Sequence, residues 1–214
     1  MRYYTVEHKT MNRTDFEERV RFKLRGWYSK QEYLDMAVDR ISKLRDEFHV
    51  LLADVNRPGI ASLLDYLDEC GFYYRPSSDT RHHNYPGGLA EHCMGVYKKM
   101  LSYDLAGVNE ESIKLVGLFH DLCKCDMFYF VGRNIHSHYR KGHGSRSVRL
   151  LKRYGVMLSP EEYRAIRYHM GSSTNQKRLQ NPEYAKAVKE TLRKAVNIAD
   201  HEDSADAYAR ARRK

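Results

Sequence analysis

Ile113-Lys114-Leu115-Val116-Gly117-Leu118-Phe119-His120-Asp121-Leu122 is apolar almost all the way round, with Lys114 and the His120-Asp121 pair its only ionisable members. A helix that is hydrophobic on every side is a buried one, so this run predicts the central helix of an all-α domain. An aspartate inside such a helix is costly to bury unless a partner charge or a metal ion compensates it. The pair therefore asks for partners.

Partners recur along the chain. His92, His120-Asp121, His143, His169 and Asp200 are separated by gaps of 28, 23, 26 and 31 residues. Each gap suits one helix and one loop, so successive helices can each deliver one ligand to a shared centre. Eleven histidines will scatter in any chain of this size, and a lone one is usually a satisfied core or surface residue. The joint pattern argues otherwise. His92 lies beside the apolar stripe Leu89, Cys93, Val96, Met100, His169 follows Ile166 by three, and Asp200 continues the series Val188, Leu192, Val196. At helical spacing these polar residues face where the core faces, and they are expected to converge within metal-bonding reach.

The string His82-His83-Asn84-Tyr85-Pro86-Gly87-Gly88-Leu89-Ala90-Glu91-His92, followed by Leu118-Phe119-His120-Asp121-Leu122-Cys123-Lys124, resembles the HD superfamily of metal-dependent phosphohydrolases. Its upstream element is closest in motif to the HD domains of 3′–5′ exoribonucleases. The resemblance covers residues 58–205. It implies an HD helical bundle in which His92, His120, Asp121 and Asp200 are the four signature positions. Gly142-His143 and Tyr168-His169 resemble the extra histidines of binuclear members, and Lys124 matches a family lysine that suggests a phosphate contact.

Histidine and carboxylate ligands suit one or two divalent ions among Mn, Fe, Ni, Co, Zn and Mg, and the residue types do not choose between them. The carboxylate of Asp121 has two oxygens and can bridge two ions, which together would bind a phosphate and activate a water. Asp121 and Lys124 are the expected catalytic residues. His82, His83, Lys124, Arg133 and Arg140 are expected to bind an anionic substrate. The leading expectation is hydrolysis of a phosphoester in a nucleotide or nucleic acid through a metal-activated water. The same ligands also resemble a di-iron HD oxygenase of the inositol-oxygenase type, and a non-enzymatic nucleic-acid-binding HD module is the third reading.

Composition sets the frame. At 214 residues and 25.2 kDa the chain supports one sizeable domain with short extensions. The divisions expected are an N-terminal helical extension over 1–57, the HD domain over 58–205 and a basic tail over 206–214. A formal charge of +9 and a pI near 9.3 favour polyanionic partners, a phosphorylated small molecule or nucleic acid. No run approaches a membrane span, the start lacks the apolar stretch of a signal peptide, and the four cysteines show neither zinc-ribbon nor disulfide spacing. A reducing, cytoplasmic setting with no membrane partner is expected.

Along the chain, Asp15 to Leu24 reads as a short helix, and Leu34, Val38, Ile41, Phe48 and Leu51 as one face of a long helix. Pro58-Gly59 breaks it before the helix Ile60 to Glu69. Phe72 to Ser78 reads as extended, Gly87-Gly88 opens the His92 helix, which runs to Leu105, and Glu110 to Lys124 carries the doublet. A small β-hairpin is expected near 127–139 around Gly132-Arg133-Asn134. His143 begins the next helix and Ser159-Pro160-Glu161-Glu162 caps another ending near Gly171. Ser172 to Gln180 reads as a flexible loop, and Asn181-Pro182 starts one long last helix that includes Asp200.

Overall fold

A computed structural model describes residues 30–78, 82–131, 134–137, 142–171 and 175–212. Among these it forms nine α-helices and one two-stranded hairpin, an all-α bundle as the apolar periodicity predicts. The predicted helix from Asp15 to Leu24 lies outside the described residues, as do Arg133 and Arg140.

Helix α1 (Lys30–Leu52) buries Ile41, Leu44, Phe48 and Leu52, spaced to share one face. After Gly59, whose φ of 86° and contact with the backbone of Tyr154 leave no room for a Cβ, α2 (Ile60–Glu69) buries Ile60, Leu63, Tyr66 and Leu67. Phe72–Tyr74 then forms a 3-10 turn and not the extended connection expected. The reason is tertiary: the Phe72 and Tyr73 rings both pack edge-on against Phe48, at 5.4 and 5.6 Å, which a pleated strand with alternating faces cannot arrange.

Helix α3 (Gly88–Leu101) buries His92 in the stripe Leu89, Cys93, Val96, Met100, and ends four residues short of the expected Leu105. Helix α4 (Glu110–Phe119) starts at Asn109, whose side chain accepts a hydrogen bond from Glu111 N, and every residue from Ile113 to Phe119 is buried. The doublet is not inside this helix, contrary to expectation. His120 is its C-cap, Asp121 leaves helical geometry at φ −108°, and Leu122–Asp126 continues as a 3-10 turn. The Cys123 N–H donates to Ser147 Oγ at 3.1 Å, a tertiary partner in place of a helical carbonyl.

The hairpin pairs β1 (Phe128–Val131) with β2 (Asn134–Ser137) in antiparallel register, Phe128 opposite Ser137. Helix α5 (His143–Arg153) follows, then α6 (Pro160–Arg167), which opens with the predicted capping box at Ser159 and Glu162. Part of the expected flexible loop is the short helix α7 (Gln176–Leu179). The expected single last helix is two, α8 (Pro182–Ala187) and α9 (Thr191–Arg212). Between them Lys189 and Glu190 make turn hydrogen bonds to Lys186 O and Ala187 O, and the Glu190 carboxylate is gripped by Arg164.

Helix α3 packs on α4 and α9, while α6 packs on α5 and α9. One contiguous core joins them and takes in α1, through Phe48, and the sides of α9. Helix α9 runs unbroken past 205 with Ala207 buried, so the start of the expected tail is helical. No helix among the described residues is long and apolar enough to cross a membrane, and all four cysteines are free.

Candidate metal centre

The buried ends of these helices meet at Asp121. One oxygen, Oδ2, lies 3.6 Å from His92 Nε2 and 3.5 Å from His120 Nε2. The other, Oδ1, lies 3.5 Å from His143 Nε2 and 3.5 Å from His169 Nε2. Asp200 Oδ1 stands 3.2 Å from His92 Nε2. Two ligand groups share Asp121, His92–His120–Asp121–Asp200 and Asp121–His143–His169, each with its donor atoms within 4.8 Å of one another, and His82–His83–His92 forms a third. His92, His120 and His169 are fully buried, Asp121 and Asp200 nearly so, and His143 is half-buried at the edge.

Each central histidine is tied down by the nitrogen that faces away from this point. His120 Nδ1 donates to Gly117 O at 2.9 Å and His169 Nδ1 to Ile166 O at 2.7 Å. A carbonyl only accepts, so the proton sits on Nδ1 and the Nε2 lone pair is aimed at the centre. His92 Nδ1 pairs with Asp203 Oδ2 at 2.8 Å in the same sense. His92 Nε2, His120 Nε2 and Asp121 Oδ1 are buried with no hydrogen-bond partner of their own. Orphaned buried polar atoms cost roughly 1–3 kcal/mol each, and three converging on one spot fit a divalent cation. Nitrogen lone pairs and carboxylate oxygens are the donor set such ions take.

The field points the same way. Burial alone would raise Asp121, yet Lys124 and His120 hold its carboxyl well below the ordinary carboxylate range. Asp200 is likewise lowered against burial by His92. Burial would depress His92, but the facing carboxylates of Asp121, Asp200 and Asp203 push it up to about 10. Three carboxylates around this imidazole give the pocket the negative potential that a cation would meet. His143 goes the other way, lowered to about 4 by burial and by His169 and Lys124, and stays a neutral donor.

Helix α9 does more than present Asp200. Two turns earlier, buried Arg193 donates to Tyr168 O at 2.9 Å, and one turn earlier Asn197 donates to His169 O at 2.7 Å. The helix thus clamps the backbone that carries His169. One turn later comes Asp203, set against Gly95 so closely that a Cβ there would lie 2.1 Å from its Oδ1. Arg193, Asn197 and Asp203 escape a reading of the sequence. For Asp203 a faint signal exists: it lies three residues after Asp200 and so on the same helical face.

The residues expected at the substrate are placed unequally. Lys124 Nζ sits 2.7 Å from Asp121 Oδ2 and 3.3 Å from Ser77 Oγ, and Asp121 and Asp200 hold it above the ordinary lysine range although burial opposes this. His82 is half-buried, with Nε2 3.2 Å from Ser204 Oγ and its ring 5.2 Å from that of His92. His83 is only 2% exposed, and its φ of 50° turns the ring inward beside Asp203 Oδ2 at 3.6 Å.

A family model described as the HD domain matches residues 89–205. No curated protein and no solved structure matches the chain.

Proposed function

As the chain belongs to the HD domain family, we propose that it is a metal-dependent phosphohydrolase cleaving a phosphoester of a nucleotide or nucleic acid. What supports this above all is Asp121, whose two oxygens face separate histidine groups, His92 with His120 and His143 with His169. His92, His120, Asp121 and Asp200 are the proposed ligands of one ion, and Asp121, His143 and His169 those of a second. Bound there, divalent ions supply Lewis acidity toward a phosphoryl oxygen and lower the pKa of a water. The likeness to exoribonuclease HD domains rests on the string from His82 to His92, most of which precedes the matched residues.

The protein's own share is positioning. Gly117 O, Ile166 O and Asp203 hold the imidazoles in one tautomer with Nε2 inward. Lys124, beside Asp121 and the buried Ser77, would offer an ammonium to a phosphate oxygen. The apolar walls from α3 and α4 keep the dielectric low, which strengthens each of these interactions.

Metal analysis of the purified protein, followed by a phosphoester panel with Mn²⁺, Mg²⁺, Ni²⁺ and Co²⁺, tests the reading. Phosphate or nucleotide release that disappears on chelation is expected. Iron-dependent oxygen uptake without ester cleavage would move the assignment to an oxygenase, and nucleic-acid binding unaffected by metal removal to a binding module.

Two variants refine it. His143→Ala and His169→Ala should each lower bound metal per chain while far-UV circular dichroism stays at the wild-type level. If both keep full metal and full activity, the centre is mononuclear. Asp203→Ala leaves every proposed ligand in place but frees the His92 ring. Loss of such an outer carboxylate typically costs about 10–100-fold in metal affinity. Titration calorimetry that finds unchanged affinity would remove Asp203 from the site.

A further inference from the structure

Between Asp126 and Glu161 the chain has no acidic residue, yet residues 127–160 hold seven of its 37 lysines and arginines: Arg133, Arg140, Lys141, Arg146, Arg149, Lys152 and Arg153. Four of these are on α5, which contains no acid at all. Arg146, Arg149 and Arg153, at i, i+3 and i+7, share one face of that helix and line one shallow depression together with Leu150 and Asp126. Asp126 Oδ1 accepts from Tyr66 OH at 3.5 Å.

Several cations elsewhere are paired with acids. Arg45 pairs with Asp68, Arg57 with Glu162, Lys99 with Asp206, Lys114 with Asp54 and Arg164 with Glu190. No ion pair reaches Arg146, Arg149, Lys152 or Arg153 among the described residues, and Arg146 Nη1 is a buried donor with no hydrogen-bond partner. Unmatched cations on one face repel one another and destabilise the free protein slightly, so their segregation points to an anion that covers them.

The stripe is anchored to the candidate centre. Helix α5 begins with His143, 3.5 Å from Asp121 Oδ1, and the Cys123 N–H holds Ser147 at 3.1 Å. At Gly144 a Cβ would lie 2.5 Å from Ile166 O, so the helix start is pressed against the residues that precede His169. From His143 to Arg153 the helix rises ~15 Å, at ~1.5 Å per residue. That is the length of about four nucleotides of one strand at ~3.4 Å each. A mononucleotide reaches only the first turn.

We propose that the Arg146–Arg149–Arg153 face of α5 binds the sugar-phosphate backbone of a single-stranded polynucleotide and leads it to the His/Asp centre. This rests on the phosphohydrolase reading only for what happens at the end of the strand. The contacts are to phosphates, so RNA and DNA strands should bind alike.

The test uses the metal-loaded full chain and labelled single strands of about eight nucleotides, twice that length, with phosphorothioate linkages that resist cleavage. Fluorescence anisotropy is read across a salt series for wild type and for Arg149→Gln/Arg153→Gln, two exposed positions outside the centre. Each phosphate contact on a single strand contributes about 0.7 to the slope of log affinity against log salt, so the double variant should lose about 1.4 and bind roughly tenfold more weakly at ~0.15 M salt. Its hydrolysis of a small aryl phosphodiester should equal that of wild type. An unchanged slope, or arginine-dependent binding to phosphatidylserine vesicles without strand binding, overturns the proposal. Arginine-dependent strand binding by a protein that hydrolyses no ester in any metal leaves this face assigned and removes the phosphohydrolase reading instead.

Discussion

Replacing Asp121 with Asn should abolish metal loading and ester hydrolysis together while leaving the metal-free protein folded. The substitution keeps the shape but removes the anion that faces both histidine groups. Both ion sites lose their shared ligand at once. Metal assistance is worth several kcal/mol of transition-state stabilisation, so at ~1.4 kcal/mol per tenfold the rate should fall by roughly a thousandfold or more. The metal-free state loses the ion pair of Oδ2 with Lys124 at 2.7 Å but no hydrogen bond at the buried Oδ1, so it should be weakened and still fold. Lys124, the partner of the other oxygen, is still 14% exposed and can turn to water. Paired measurements of metal content, kcat and Tm check this. Wild-type hydrolysis in Asp121→Asn would show that the carboxylate is not a ligand the reaction needs.

A second large effect is expected far from the centre. The Glu162 side chain is fully buried, and it accepts from Arg57 Nη1 at 2.6 Å, Arg57 Nη2 at 2.8 Å and Ser159 N at 2.7 Å. Arg57 also reaches Glu111 on α4 at 3.0 Å. One guanidinium thus fastens the helix that ends at His120-Asp121 to the helix that ends before His169. Arg57→Ala strands a buried carboxylate and should cost about 3 kcal/mol, near the lower end for breaking a buried pair since the arginine is partly exposed. Arg57→Met with Glu162→Gln removes both charges and should recover most of that. Urea denaturation measures it, and a single-variant loss below ~1 kcal/mol would contradict the account.

The same pair predicts a pH dependence. Burial raises the Glu162 pKa, but Arg57 and Ser112 outweigh it and hold the group below its ordinary 4.5. A depressed folded pKa contributes stability that is present above the unfolded value and lost as pH falls through the folded one. The stability gap between wild type and Arg57→Ala should therefore be widest at neutral pH and close progressively below about pH 4.5. A gap that held constant through that range would show that the pair is not ionised in the folded protein.

How much of this was legible in the sequence varied by residue. His92, His120, Asp121 and Asp200 were legible because each interrupts an apolar stripe at helical spacing, and a polar residue on a core-facing stripe must have a partner there. Asp203 was not, because it follows His201 and Glu202 in a stretch where charged residues face every direction. Arg193 reads as a solvated arginine and is instead only 2% exposed, its guanidinium spent on the carbonyls that precede and follow His169. The aromatic run Phe72-Tyr73-Tyr74 carries the composition of a strand, and only the position of Phe48 made it a 3-10 turn. The last helix looked continuous since Val188, Leu192 and Val196 keep their period across the break.

By itself the sequence determined the all-α class, the hairpin, the capping box at Ser159 and the identities and order of the converging histidines and aspartates. Those depend on short-range spacing, which local periodicity records. Only the tertiary structure decided that Asp121 leaves its helix, that Oδ2 faces His92 and His120 while Oδ1 faces His143 and His169, and that Asp203 holds His92 from behind. The physical reason is distance along the chain. His92 and Asp203 lie 111 residues apart, and their contact is set by how α3, α4 and α9 pack, a choice made by interlocking side chains that no local pattern of residues encodes.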